Sequence, residues 1–347
     1  MKKLRVLVLM HEDLVPPSDS NGLDAKAVAP WKTERDVLEG LAELGHECRA
    51  LGVHDDLSVI RDAIVEWKPH VAFNVLEEFH GVSMYAQAVI SFVELMRLPY
   101  TGGNPRGLML AHDKVLAKKI LAYHRVPTPR FAYFPLGSAA RRPKRLGFPL
   151  LVKSVSENAS LGIAQASLVH SDEKLAERVG FMHREFGTDA MAEEFIEGRE
   201  LYLGLMGNLR LECFPVWEMI FGDWPEDTPR IATAKVKWDA GYQEKRGIVT
   251  RAAQDLPAGV EREIVRVCKQ VYRALELSGY ARIDLRLSSE GKLYVLEANA
   301  TPDLARDEDF ALSAAAAEIP YPALLQRILN LGLAWRPAWM EAEEPAE

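Results

Sequence analysis

The chain is poor in cysteine, and Cys48, Cys213 and Cys268 are odd in number, far apart and without C-x-x-C spacing. That excludes a thiolate zinc site and a disulfide-stapled fold, and it makes a reducing cytoplasm the expected compartment. No G-x-G-x-x-G follows the first apolar run, so the dinucleotide fingerprint is missing. No apolar run approaches the length of a membrane span. The start, Met1-Lys2-Lys3 followed by Leu4 to Met10, imitates a signal peptide but runs directly into His11-Glu12-Asp13 with no small-residue cleavage site, and it is better read as a buried strand. Internal repeats are lacking too. A net charge of −8 argues against nucleic acid as the main partner. What is present is ordinary globular composition over 347 residues, long enough for two or three domains with a sizeable core.

The first hundred residues alternate strand and helix. Leu4 to Met10, Glu47 to Val53 and Val71 to Val75 read as strands, and Thr33 to Leu44, Leu57 to Trp67 and Ser83 to Met96 as helices. That order predicts a small parallel sheet covered by helices. A long polar insertion, His11 to Lys32, separates the first strand from the first helix; loops of that length are functional lids or disordered segments.

A second unit begins near Asp113. The helix Asp113 to His124 is stopped by Val126-Pro127-Thr128-Pro129 and carries Lys114 in its first turn, where a helix N-terminus already favours anions. Taken alone, Lys114 also reads as a solvated helix lysine. The apolar strand Phe148 to Val155 is interrupted by Lys153. A charge there costs several kcal/mol unless paired, so Lys153 is expected to face a ligand or a carboxylate. A small polar loop follows, Ser156 to Gly162, able to fold backbone N–H groups over phosphates. After the helix Ser171 to Phe186 comes the strand Ala190 to Ile196 with Glu193 and Glu194, then Leu201 to Met206 and Arg210 to Trp217. Thr233 to Arg246 gathers Lys235, Lys237, Trp238 and Lys245. Val260 to Leu277, Ala311 to Ala317 and Pro322 to Leu331 read as helices, and the tail from Arg336 as frayed and acidic. The basic run Arg141 to Arg145 is expected to be a solvated loop.

The most informative stretch is Tyr280 to Asp303. Two alternating apolar runs flank Ser288-Ser289-Glu290-Gly291, the pattern of a hairpin. With Leu287 facing Lys292, Arg282 would lie opposite Glu297 and Asp284 opposite Val295, and Arg282, Asp284, Glu297 and Asn299 would share one face. Asp284 and Glu297 would then be diagonal neighbours, about 7–8 Å apart and able to share one or two hard cations. This is a donor set suited to magnesium, with Arg282 left free to meet charge developing on a substrate. A surface ion pair on an exposed hairpin is the plain alternative for either motif alone.

These motifs resemble the ATP-grasp superfamily, and their order and spacing are closest to the D-alanine–D-alanine ligase group. The residues that carry the resemblance are Arg282-Ile283-Asp284, Leu296-Glu297-Ala298-Asn299, Lys114, Lys153 with its small-residue loop, and Glu193 to Glu200. Weaker matches are Phe73-Asn74, His80-Gly81, Leu98 to Gly102 and Thr33 to Val37. The resemblance implies an α/β and α+β chain. A Rossmann-like parallel sheet would occupy 1–110, a central ATP-grasp lobe 111–197, the lobe with the metal site 198–335, and a tail 336–347. It implies ATP as the nucleotide, with Mg²⁺, or Mn²⁺ in its place, on Asp284, Glu297 and Asn299, and phosphates on Lys114, Lys153 and Lys237. Glu193, Glu194, Phe195 and Ile196 would border the adenine, Glu200 would meet the ribose, and the loop with Ser160 would close over the γ-phosphate. Arg282 would stabilise the tetrahedral intermediate, Glu34 would meet the ammonium of the first substrate, and the chain would form a homodimer.

The chain also departs from that group near the acceptor. Ala159 and Trp238 stand where a serine and a tyrosine are usual, and Ala300-Thr301-Pro302-Asp303 where serine, proline and glycine are usual. The charged run Arg306-Asp307-Glu308-Asp309 follows, and the residues after His80-Gly81 lack the usual acidic pair. The expected activity is ATP-dependent joining of a carboxylate to an amine, with an amino acid or short peptide as one substrate. The alternatives are a true D-alanine–D-alanine ligase and a nucleotide-binding regulatory protein without turnover. No nucleic acid or membrane partner is expected.

Overall fold

A computed structural model of the chain describes residues 3–17, 24–157, 162–225 and 227–337. Strands β1 (Arg5–His11), β2 (Glu47–Val53) and β3 (Val71–Asn74) form a parallel sheet in the order β2-β1-β3. Strand β1 shows no polar alternation because both its faces are covered. Val6, Val8 and Met10 pack with Val37 and Leu41 of the helix Lys32–Glu43 and with Leu325 and Ile328 of the helix Tyr321–Ala334. Leu7 and Leu9 pack with Ile60 and Val89 of the helices Ser58–Trp67 and Ala86–Leu95. The insertion expected to lack structure of its own carries short helical turns at Glu12–Leu14 and Ala25–Val28.

The second sheet is antiparallel, in the order β4-β7-β5-β6, from β4 (Phe131–Phe134), β5 (Leu150–Ser154), β6 (Leu168–Val169) and β7 (Ala190–Glu194). Helix Asp172–Phe186 covers it through Leu175, Val179 and Met182. Ser171 caps that helix by accepting from the Lys174 N–H, and Gly187 ends it in the left-handed conformation, the usual division of labour between a polar N-cap and a C-terminal glycine.

The third sheet comprises β8 (Gly198–Met206), β9 (Glu212–Cys213), β10 (Trp217–Phe221), β11 (Ile248–Ala252), β12 (Tyr280–Ser288) and β13 (Leu293–Asn299). Its order is β11-β10-β8-β12-β13, with β9 paired to β8. Helix Val260–Ala274 buries Ile264, Val267, Cys268 and Val271 against one face. Phe310, from the helix Asp309–Ala316, packs edge-on against Phe214 at 5.2 Å. The single strand expected over Arg210 to Trp217 is two strands, β9 and β10. Pro215 lies between them and has no N–H to give a ladder.

The hairpin forms with a different register from the one expected. Arg282 pairs with Asn299 and Asp284 with Glu297, while Leu285 pairs with Val295, so Leu296 is the extra residue of a β-bulge. Asp284 and Glu297 are therefore directly opposed instead of diagonal, and the bulge turns the side chain of Leu296 into the cleft described below.

Entry into β12 depends on Gly279. Its φ is +70°, and a Cβ there would stand 2.5 Å from the Gly102 carbonyl oxygen. Gly279→Ala is expected to cost about 2–4 kcal/mol through the left-handed conformation and the collision together. Chemical denaturation would show it as a lower midpoint, and an unshifted midpoint would contradict the close approach.

Candidate active site

Two helix starts and two strands bring the charged residues together. Asn104 caps the helix Pro105–His112 and Asp113 caps the helix Lys114–Tyr123, each accepting a backbone N–H through its side chain. Lys114 is thereby the first helical residue, at the edge of a cleft between β5 and β7 on one side and β12 and β13 on the other. Lys114, Lys153, Glu193, Glu194, Phe195, Ile196, Glu200, Lys237, Asp284 and Glu297 all line this cleft, so most of the residues singled out in the sequence converge. Ser160 and Ala159 lie outside the described residues.

The cleft is organised by buried ion pairs. Glu193, on β7, meets Lys153 Nζ at 2.7 Å and Lys118 Nζ at 2.8 Å, and all three side chains are buried. Lys114 donates to the Glu157 carbonyl at 2.6 Å and stands 3.8 Å from Glu297. Burial pulls Lys153 down, but Glu193 and Glu297 outweigh it and hold its pKa above the ordinary lysine value. Burial pushes Glu297 up, and Lys114, Lys153 and Lys237 overcome that, taking it down to about 2. Asp284 is raised by burial despite Arg282 beside it. Two carboxylates on one hairpin are thus driven apart by their surroundings, the pattern of a functional site.

Arg282 is not free, contrary to expectation. It grips Asp284 with two hydrogen bonds of 2.8 and 3.0 Å and lies over the Tyr202 ring at 4.9 Å. A guanidinium has five N–H donors, and the rest of it faces a second cavity of about 600 Å³ beside the cleft. Asn299 lines that cavity with Glu297, its amide oxygen accepting the Thr301 N–H at 3.0 Å. Glu200 is also engaged, with Arg286 at 2.6 Å and the Tyr202 hydroxyl at 3.0 Å. Glu34, 5% exposed, makes no ion pair among the described residues; burial and the nearby Asp303 raise its pKa to about 7.

Lys118 and Arg286 were missed in the sequence, though each carried a signal. Lys118 lies one helical turn after Lys114, and Arg286 two strand positions after Asp284. Glu77 gave none, because a loop places it, and Leu296, though within the hairpin motif, gave no sign of the bulge that turns it into the cleft.

With that geometry in place, comparison with known proteins is informative. A family model described as "D-ala D-ala ligase C-terminus" matches residues 123–330. The chain belongs to the D-alanine–D-alanine ligase family. A D-alanine–D-alanine ligase from Desulfotalea psychrophila is 32% identical over 266 residues, covering 76% of this chain and 78% of that one. An uncharacterised protein, y4sG, from Sinorhizobium fredii is 29% identical over 314 residues, covering 87% and 88%. The structure of the Bacillus anthracis D-alanine–D-alanine ligase complexed with ATP superposes with a TM-score of 0.72 at 22% identity over 95% of this chain and 97% of that one, which gives the ATP-grasp fold. This family member is accordingly an ATP-grasp ligase that forms C–N bonds.

Two stability predictions follow from the buried charges. Glu193→Gln would leave Lys118 and Lys153 without their shared partner and is expected to destabilise the fold by about 3–5 kcal/mol; an unchanged denaturation midpoint would refute the ion-pair triad. For Glu34 the sign is reversed. With its folded pKa raised to about 7 from 4.5, stability is full below pH 4.5 and is lost as pH rises through 7. Glu34→Gln should therefore be more stable than the parent at pH 8, by as much as about 3 kcal/mol, and the gain should fade toward pH 5. A gain independent of pH would show that Glu34 is not held protonated.

Proposed function

We propose that this enzyme joins the carboxylate of an amino acid or short peptide to an amine through an acylphosphate, using ATP. The observation that carries the proposal is the meeting of two cavities at Lys114, Lys237 and Glu297. The cleft side is lined by buried lysines and the far side by Arg282, so phosphates and the reacting carboxylate can meet at one place. In the first step a carboxylate oxygen attacks the γ-phosphorus and ADP leaves with the electron pair of the broken P–O bond. Lys114, Lys153 and Lys237 offset the charge, which is most of what phosphoryl transfer asks of a protein. The amine nitrogen then attacks the acyl carbon, the C–O bond to phosphate breaks, and the amine proton leaves with phosphate. The free donors of Arg282 face the oxyanion of that step. Glu34, buried and without an ion pair among the described residues, is suited to an ammonium of the first substrate.

Asp284, Glu297 and Asn299 offer hard oxygen donors on opposed positions of one hairpin, a set that fits magnesium completed by water and phosphate oxygens. When bound there, the ion would neutralise phosphate charge. Leu296, Phe195 and Ile196 supply apolar walls suited to adenine, and Glu200 keeps lone pairs for ribose hydroxyls.

A true D-alanine–D-alanine ligase is the second reading, favoured by the activity named for the Desulfotalea relative. ADP release with Mg²⁺-ATP, measured across single and paired D- and L-amino acids, short peptides and amines with product mass read in parallel, separates the two. Release with D-alanine alone supports the second reading. A pair-dependent product lighter than its parts by one water supports the first, and binding of ATP without release for any pair would sink both. Glu297→Gln should lower turnover at least a hundredfold while leaving the fold intact; full activity in that variant would remove the hairpin from the site.

A further inference from the structure

Lys118 belongs to the ion pairs of the cleft without reaching the cleft itself. It lies one turn after Lys114 on the helix Lys114–Tyr123 and is 1% exposed. Lys153 and Glu193 line the cleft, and Lys118 stands apart from that lining. The two lysines divide one carboxylate between them, Lys153 Nζ at 2.7 Å from Oε1 of Glu193 and Lys118 Nζ at 2.8 Å from Oε2. The Lys118 contact is off the hydrogen-bond line, so what it supplies is charge. The same ammonium lies 5.9 Å from the centroid of the Phe131 ring, close enough for a ring face to favour a cation.

Two ammoniums are one more than a single carboxylate requires. Burial pulls Lys118 below the ordinary lysine value; Glu193 opposes that and Lys153 adds to it. Burial pushes Glu193 up, and Lys118 and Lys153 overcome it and hold the carboxyl below its ordinary value. A second buried cation beside a pair that is already complete is unfavourable for the fold by itself, so the surplus points to a moment when one of the two is elsewhere. Lys153 is the one placed to move. It is on the cleft wall, and Glu297 on the facing sheet acts on it as well as Glu193. Once Lys153 turns to a phosphate, Glu193 still has Lys118. Without Lys118 the same movement would strand a buried carboxylate, the costly half of a broken pair.

We propose that Lys118 is a positioning residue of this ligase: it is the standing counter-charge of Glu193, and it lets Lys153 leave that carboxylate for the phosphates of the nucleotide. No covalent bond changes in this exchange, and Glu193 keeps its charge throughout. The proposal rests on the reading above that the phosphates enter this cleft.

The test titrates the full chain with Mg²⁺ and the β,γ-imido analogue of ATP by calorimetry, in buffers of different ionisation heat so that proton uptake is read with affinity. At pH 8, Lys118→Met should weaken binding by about tenfold or more. It should also take up about one proton more than the parent on binding, because the stranded Glu193 is then protonated. Relative to the parent, its affinity should recover toward pH 6. The double variant Lys118→Met, Glu193→Gln should regain most of the lost affinity without the extra proton, since no carboxylate is left to strand. Lys118→Met keeps the Glu193–Lys153 pair and is expected to fold; Lys118→Gln is the milder variant, with effects in the same direction. Binding by Lys118→Met equal to that of the parent overturns the proposal. Weaker binding with no extra proton and no recovery in the double variant also overturns it and leaves Lys118 a packing residue. Lys153→Met separates the two readings. Weakened binding in that variant with none in Lys118→Met fails the proposal alone, and unchanged binding in it fails the placement of the phosphates as well.

Discussion

The cleft between the two antiparallel sheets depends on keeping a few opposite charges together away from water. Burying one ion costs several kcal/mol, and the pairing offsets that only if each charge has a close partner. Glu193 has two, and Lys153 is shared between Glu193 on its own sheet and Glu297 on the facing one. The two sheets are thus coupled through one ammonium. An anion entering the cleft competes with Glu297 for the same lysines, so binding is an exchange of partners and not a new burial of charge.

The second cavity works by the opposite rule. There, most carboxylates lack a close ion pair, and burial first, then the neighbouring carboxylates, raises Glu308. The two neighbouring spaces thus differ in how completely their charges are paired, and the Arg282–Asp284 pair lies where they adjoin. An arrangement of this kind is unfavourable for the fold taken alone, and sites held under such strain are common where binding restores the balance.

Much of this was legible in the sequence. The alternation of apolar runs marked the parallel sheet, and helix Val260–Ala274 and strand β2 were readable from pattern alone because a single face or a covered sheet decides them. Lys153 stood out as a charge inside an apolar strand, and its ion pair with Glu193 is the partner that burial demands. The hairpin was readable as a hairpin, but its register was not. A bulge at Leu296 shifts every pair on one side of it and leaves no mark in the alternation. Strand β4, four residues with half-exposed Tyr133, is too short for periodicity to show. Asp303 comes near Glu34 and Glu77 only through tertiary packing of three segments, and no spacing rule connects them.

One feature of the core bears on how the chain is made. The face of β1 carrying Val6, Val8 and Met10 is closed by Leu325 and Ile328 of the helix Tyr321–Ala334. On a ribosome that face, covered early only by Val37 and Leu41 of the helix Lys32–Glu43, therefore stays partly open until the helix Tyr321–Ala334 has emerged. The N-terminal sheet cannot reach its native packing as an early, independent step of vectorial folding, and emergence of that helix, not the order of the sheets along the chain, sets when the packing closes.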